Sequence, residues 1–168
     1  MDGELVQRLV EASELHGDFV LSSGRRSSVY FDKFRFLTRP GLLRDLAAQV
    51  ATMLPTGTEL LGAPEGAAML LVAAVALETD LPITVVRKEA KEYGTRVQVE
   101  GEVAPGAKTT LIEDVSTTGH QVRRAAEVLA EAGADVKAII LAIDRGGADY
   151  LREAGYEVRA VAVLRPTD

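Results

Sequence analysis

The sequence contains no cysteine. Disulfide bridges and thiol catalysis are therefore both excluded, and a reducing compartment is compatible. It also lacks a long hydrophobic run: the longest nearly apolar stretch, Ala67 to Leu77, is much shorter than the roughly 20 residues a membrane span needs, and it predicts a buried helix instead. The opening segment "MDGELVQRLVEASEL" has neither the basic start nor the apolar core of a signal peptide, so a cytoplasmic protein without membrane contact is expected. Neither G-x-G-x-x-G nor G-x-x-x-x-G-K-[ST] occurs, which leaves a dinucleotide fold or a Walker-type NTPase without motif support. No metal-ligand spacing, internal repeat or low-complexity segment is present. Positive charge is in deficit overall: the net charge is −6, which opposes binding to nucleic acid.

What is present is an ordinary globular balance, 47% hydrophobic and 26% charged, in a chain long enough for one core of moderate size and too short for two comfortable domains. Two basic clusters, "SGRRSS" and "RKEAK", stand out against the acidic whole and favour a small anionic ligand over a polyanion, although each taken alone is also compatible with a solvated face. Apolar spacing at Leu5, Leu9, Val10 and Leu15 predicts an opening helix; "DFVLSSGRRSSVYFDKFRFL" predicts two alternating segments around a Ser-Gly-Arg turn. Pro40 is placed to start a helix over Leu42 to Met53, and "TELLGA" predicts a short strand running into Gly62. The predicted order then alternates: helix 65–77, strands 83–86 and 110–112, helix 119–132, strand 136–143, helix 148–153, strand 158–163. Such alternation, with β-branched strands, argues an α/β fold with a parallel twisted sheet flanked by helices. Between Arg87 and Gly106 the apolar signal fails and only "VQVEGEV" can pair as a short strand. A polar excursion of that length in a compact domain is usually functional.

Ligands of open parallel sheets sit beyond the carboxyl ends of the strands. Four predicted strand ends carry chemistry-bearing residues: "GAPEG" from Gly62, Arg87-Lys88, Glu113-Asp114 with Thr117-Thr118-Gly119, and Asp144-Arg145. In "EDVSTTGH", Thr117, Thr118 and Gly119 open a helix, where unpaired backbone N–H groups and hydroxyls suit a phosphate monoester. Glu113 and Asp114, expected in the loop just before, are costly beside a phosphate unless they hold hydroxyls or a metal-bound group; ribose 2' and 3' hydroxyls meet that need. The plainer alternative is a Thr117 that only caps the helix and acids that are only solvated.

An apolar strand, Glu-Asp, Val, then Thr-Thr-Gly resembles the phosphoribosyl pyrophosphate (PRPP) motif of type I phosphoribosyltransferases. Three further stretches resemble one branch, the orotate phosphoribosyltransferases: "FVLSSGRRSSVYFD" the N-terminal substrate hairpin, "RKEAKEYG" the mobile catalytic loop, and "AIDRGG" the Asp-Arg strand end. The resemblance implies a type I phosphoribosyltransferase-like fold in a single domain, 1–168, with a small N-terminal hood (1–38) and an α/β core (40–168). It implies transfer of the 5-phosphoribosyl group of PRPP to orotate, giving orotidine 5'-monophosphate and pyrophosphate. Mg²⁺ would be held mainly by PRPP oxygens. The implied PRPP-binding residues are Glu113, Asp114, Ser116, Thr117, Thr118, Gly119, His120 and Gln121, with Ala63 and Pro64 of the pyrophosphate loop and Arg87, Lys88, Lys91 and Tyr93 of the catalytic loop. Those for orotate are Arg26, Tyr30, Phe31, Thr117 and Arg145, and the groups carrying the chemistry are Arg87, Lys88, Lys91 and Asp114. A homodimer is implied, the 87–96 loop reaching the neighbouring site.

The basic residues have a chemical reason to be there. Breaking the bond from the anomeric carbon to pyrophosphate builds positive charge on the ribose and negative charge on the leaving group, which Lys and Arg stabilise. Several positions depart from the family: Tyr93 where the loop usually has histidine, Arg26 where many members have lysine, Ser116 for an aliphatic residue, His120-Gln121 for small or hydroxyl residues, and a shorter "DRGGADYL". Arg145 has a second reading, as an ion-pair partner of Asp144. Two other functions fit the motifs: a transferase for uracil or a purine, and a non-catalytic PRPP-sensing regulator. The second needs a nucleic-acid surface, which the acidity opposes, or an attached DNA-binding domain, and none is expected.

Overall fold

The computed structural model describes residues 3–20, 24, 26–89 and 98–165. Helix α1 (Gly3–Ser13) buries Leu5, Leu9 and Ala12 on one face. It ends earlier than the apolar spacing suggests. Leu15 instead belongs to strand β1 (Glu14–Val20), which pairs antiparallel with β2 (Arg26–Phe31), Leu15 opposite Tyr30 and Val20 opposite Arg26. The base of this hairpin is tied back to α1 by the Asp32 N–H, which donates to the Ser13 carbonyl at 2.9 Å.

The expected extension of the second hairpin strand through 36 does not occur. After Phe31 the chain turns into a short helix, α2 (Phe34–Leu37), with the Phe34 N–H bonded to Asp32 Oδ1 at 3.0 Å. Phe36 and Leu37 are both buried, 0% and 1% exposed. A strand sends consecutive side chains to opposite faces, whereas a helical turn brings both of these into the core. Helix α3 (Pro40–Thr52) follows with Pro40 in its first turn, where a missing N–H has no cost.

The six-stranded sheet is built from β3 (Leu60–Pro64), β4 (Ile83–Val86), β5 (Val99–Glu100), β6 (Lys108–Ser116), β7 (Asp135–Asp144) and β8 (Glu157–Val163), in the order β5-β4-β3-β6-β7-β8. All neighbours run parallel except the edge strand β5, which is antiparallel to β4. Of "VQVEGEV", only Val99 and Glu100 pair among the described residues. Helix α4 (Ala68–Thr79) starts later than expected because Pro64 stays in β3, the Glu65 N–H bonds to the Val86 carbonyl, and Gly66 takes a positive φ of 120°. Helices α5 (His120–Glu131) and α6 (Ala148–Glu153) complete the fold.

Alternation along the central strands feeds two hydrophobic cores. Ile112, Ile140 and Ala142 face a layer made by α1, α2, α3 and α4, with Leu9, Phe36, Leu46 and Leu71 in it. Leu111, Ile139 and Leu141 face α5 and α6, meeting Leu129 and Leu151. Because both faces are covered, the central strands read as unbroken apolar runs. Strand β6 is the longest surprise: it continues through Ser116, so Glu113 and Asp114, expected in a loop, are strand residues, with Glu113 opposite Leu141. The chain winds from β3 to β4 in one direction and from β6 to β8 in the other, which opens a crevice at the carboxyl ends of β3 and β6.

Leu111 sits fully buried in β6 against Leu129 of the second core. Leu111→Ala is expected to destabilise the fold by about 2–5 kcal/mol, read from the urea midpoint at unchanged slope.

Candidate functional site

The acid pair lies near the carboxyl end of β6. Glu113 and Asp114 are 4% and 0% exposed. Asp114 Oδ1 accepts from the Val115 N–H and from Lys33 Nζ at 3.1 Å, while Asp114 Oδ2 is buried without a hydrogen-bond partner. Glu113 Oε1 accepts from the Asp114 N–H at 3.2 Å. Burial pushes the Glu113 carboxyl well above its ordinary range, the adjacent Asp114 charge pushes it further, and the Lys33 ammonium pulls the other way. A buried carboxylate oxygen without a donor is rare in a folded protein.

The Thr-Thr-Gly turn is shaped by two glycines. Gly119 caps α5 with φ +80°, and a Cβ there would meet the Gly147 carbonyl at 2.8 Å and the Tyr150 ring at 3.0 Å. A Cβ on Gly147 would fall 2.1 Å from Ser116 Oγ and 2.8 Å from the Gly119 nitrogen. Only hydrogen at both positions lets the two turns touch. Thr117 and Thr118 are left exposed at the head of α5, while Ser116 is turned inward with its Oγ buried and unpartnered. His120 stacks edge-on to Tyr150 at 4.4 Å, and Tyr150 Oη accepts from Arg123 Nη1 at 3.0 Å.

Asp144 and Arg145 separate in role. Asp144 Oδ1 accepts from the Gly146 and Ala148 N–H groups at 2.8 and 3.1 Å, and its Oδ2 lies 3.5 Å from Arg165. It therefore braces the Gly146-Gly147 turn, and its cation is Arg165. The guanidinium of Arg145 lies over the Phe31 ring, 4.9 Å from its centre. Phe31 and Arg145 are thus brought together. Arg26 is not: it forms a two-point ion pair with Asp18 at 2.7 and 3.2 Å, and Tyr30 packs on Phe19 at 5.5 Å. Alternate residues of a regular strand share a face, so Arg26 and Tyr30 lie on one side of the hairpin and Phe31 on the other.

The cations expected to meet pyrophosphate lie at the end of β4. A cleft of about 140 Å³ collects Pro64, Arg87, Lys88 and Gln121, together with Gln98 and Arg124, which the sequence reading missed. Ala63 is buried beside Val85 in the adjoining strand. Arg87 Nη1 stands 3.8 Å from Glu100 and its Nε is buried without a partner. Gln98 donates to the carbonyls of Arg87 and Lys88 at 2.9 and 3.1 Å, and the Lys88 N–H donates to Glu65 at 2.7 Å, which fixes the backbone of the two basic residues. Lys91 and Tyr93 lie outside the described residues. Lys33 is the third residue missed: it follows the hairpin at once, but the extended reading of "DKFRFL" hid its turn position.

Since the Glu113 carboxyl titrates well above its unfolded value, its contribution to stability is full below the ordinary carboxylate range and is lost as pH rises through the raised value. Glu113→Gln is expected to raise the thermal midpoint at about pH 8, with the difference shrinking toward zero near about pH 4. Equal midpoints at both pH values would contradict the burial argument.

No protein-family model matches the chain. A curated orotate phosphoribosyltransferase from Nocardioides sp. is 42% identical over 170 residues, covering 100% of this chain and 95% of that protein. Another, from Pyrococcus furiosus, is 38% identical over 98% of this chain and 93% of that one. The crystal structure of the orotate phosphoribosyltransferase from Aeropyrum pernix superposes with a TM-score of 0.81 at 34% identity, covering 95% of this chain and 93% of that one. With 38–42% identity over nearly the whole length of both chains, the chain belongs to the orotate phosphoribosyltransferase family.

Proposed function

We propose that the chain transfers the 5-phosphoribosyl group of PRPP to orotate, forming orotidine 5'-monophosphate and pyrophosphate. The observation that carries this reading is the buried acid pair with an unpartnered Asp114 oxygen, one turn away from the exposed Thr117 and Thr118. Asp114 and Glu113 accept the ribose 2' and 3' hydroxyls; the backbone N–H groups and hydroxyls of Thr117 to Gly119 hold the 5'-phosphate at the head of α5. His120, Gln121 and Ser116 shape that turn. Ala63, Pro64, Arg87 and Lys88 face the diphosphate, and Lys91 and Tyr93 join them in this reading.

In the reaction the bond from the anomeric carbon to the diphosphate oxygen breaks, its electron pair leaves with pyrophosphate, and the orotate ring nitrogen bonds to the carbon as its proton departs. Arg87, Lys88 and Lys91 stabilise the negative charge as it develops on the leaving group. Phe31 and Arg145 offer the orotate ring an apolar face and its carboxylate a guanidinium. Arg26 and Tyr30 contribute from the hairpin's other face only if the hood shifts, so Phe31 and Arg145 are the stronger assignment for the base, and Thr117 adjoins them. Among the described residues no group of three or more His, Cys, Asp or Glu is placed to hold a metal ion. Mg²⁺ is assigned in this reading to the diphosphate of PRPP, whose oxygens would hold it.

The hood (1–38) and core (40–168) form one phosphoribosyltransferase domain in this reading, and the protein acts in the cytoplasm. Among the described residues no helix is long and apolar enough to cross a membrane. A homodimer in which the 87–96 loop reaches the neighbouring site is also proposed; Met69, Leu70 and Leu77 expose an apolar stripe on α4 that favours a second copy. Sedimentation velocity returning only monomer at micromolar concentration would remove it.

Orotate absorbance is expected to change only with protein, PRPP and Mg²⁺ all present; uracil or a purine reacting in its place would correct the base. Asp114→Asn is expected to lower kcat/KM for PRPP by roughly 10- to 100-fold while leaving the thermal midpoint near that of the wild type, since a charged hydrogen bond to a hydroxyl is lost. Unchanged kinetics would undo the site assignment.

A further inference from the structure

We propose that Lys33 is a positioning residue of the transfer reaction, holding the Asp114 carboxylate turned so that its second oxygen is left for the ribose. The inference rests on the reading of the acid pair as the ribose holder. Lys33 lies 81 residues from Asp114 in sequence and comes from outside the sheet. Its ammonium stands 3.1 Å from Asp114 Oδ1, the oxygen that also accepts the Val115 N–H. One carboxylate oxygen is thereby engaged twice, and the carboxylate plane is fixed. The other, Oδ2, is left without a donor.

The position of Lys33 is itself set by the fold. Its neighbours are anchored on both sides: the Asp32 N–H on the Ser13 carbonyl, and the Lys33 carbonyl accepting from the Leu37 N–H at 3.3 Å, with Phe36 and Leu37 driven into the core. The backbone is held while the side chain, 40% exposed, remains in reach of solvent and ligand.

Charge explains why such a residue is needed. Two neighbouring buried carboxylates cannot both ionise cheaply, so without a cation the pair retains a proton. Among the described residues the groups around them offer no alternative. On β6 itself only Glu113 and Asp114 are charged near this point; β3 contributes Ala63 and Pro64, and β7 contributes Leu141, Ala142 and Ile143. The next acid, Asp144, is taken by the Gly146 and Ala148 N–H groups and Arg165, and Arg145 lies over Phe31. From the hairpin side Lys33 brings a positive charge to the pair.

The test uses the full chain as wild type, Lys33→Met and Lys33→Arg, with kcat/KM for PRPP measured against pH and PRPP binding measured by calorimetry. In Lys33→Met the acid limb of the profile is expected to move up by about one pH unit, and PRPP binding near pH 6 to weaken roughly tenfold, with KM for orotate within about twofold of wild type. Lys33→Arg, which keeps the charge, is expected to restore the limb. Substrate ionisations are common to all three proteins, so the displacement belongs to the site. An acid limb and PRPP affinity unchanged in Lys33→Met, whatever its thermal midpoint, would reduce Lys33 to a fastener between hood and core and overturn the proposal; so would a Lys33→Arg limb displaced as far as that of the Met variant. A wild type inactive with orotate and PRPP would instead remove the transferase reading beneath it.

Discussion

The burial of two adjacent carboxylates in the middle of a parallel sheet is the constraint around which the rest of the structure is arranged. Carboxylates out of water are costly unless something donates to them or neutralises them. Glu113 and Asp114 obtain only part of what they need from their own strand: the Asp114 and Val115 N–H groups reach one oxygen of each. The remainder comes from Lys33, outside the sheet. The segment that follows the β1–β2 hairpin is thus more than a connection, since it carries the cation that makes the acid pair tolerable. Burial in a strand also fixes the pair's direction, which a loop at the strand's end would leave loose.

A second dependency runs through the turn after β7. The Thr-Thr-Gly turn takes its shape by lying against Gly147, and the Gly146-Gly147 turn takes its own from Asp144. The Arg145 N–H meanwhile donates to the Ser116 carbonyl at 2.8 Å, binding the ends of β6 and β7 together. Four consecutive residues, Asp-Arg-Gly-Gly, therefore do two jobs: their backbone and the aspartate brace the Thr-Thr-Gly turn, and their arginine faces Phe31. That coupling gives the shortness of "DRGGADYL" a physical reading. The turn is as tight as contact between two glycines allows, and an inserted residue would have to leave by bulging away from α5.

Much of this was legible in the sequence for reasons that are local. The order of elements follows from apolar runs broken by Gly and Pro, and the acid pair and Thr-Thr-Gly turn are contiguous motifs whose chemistry is carried by neighbours in the chain. What stayed hidden depends on contacts far apart in sequence. Lys33 gains meaning only from Asp114; Gln98 and Arg124 matter because β5 and α5 close on the end of β4. The two faces of the hairpin could not be assigned without knowing which one meets the sheet, so Arg26 and Phe31 were grouped although they point apart. Nor does local sequence show that β6 continues through its acids, since polar residues at the end of an apolar run ordinarily mark the start of a loop. Its pairing with β7 out to Ser116 opposite Asp144 overrides that signal.

The distribution of charge connects these points to what the crevice can accept. The chain is acidic overall, yet Lys33, Arg87, Lys88, Arg124 and Arg145 converge on the carboxyl ends of the central strands. Lys33 is committed to Asp114, but the three arginines are only loosely engaged by the protein: Arg87 stands 3.8 Å from Glu100, Arg124 is 4.0 and 3.8 Å from Glu127 and Glu131, and Arg145 rests on a ring. Exposed pairs at such separations contribute little in water, whereas the same guanidinium groups bind phosphate and carboxylate oxygens through short charge-assisted bonds. Exchange of protein acids for ligand oxygens is therefore downhill for the cations. An acidic exterior meanwhile repels long polyanions that would reach beyond the crevice. On the proposed reading, that contrast selects a small molecule bearing several anionic groups, and the buried acid pair, repelling phosphate but accepting hydroxyls, sets which part of such a molecule lies over β6.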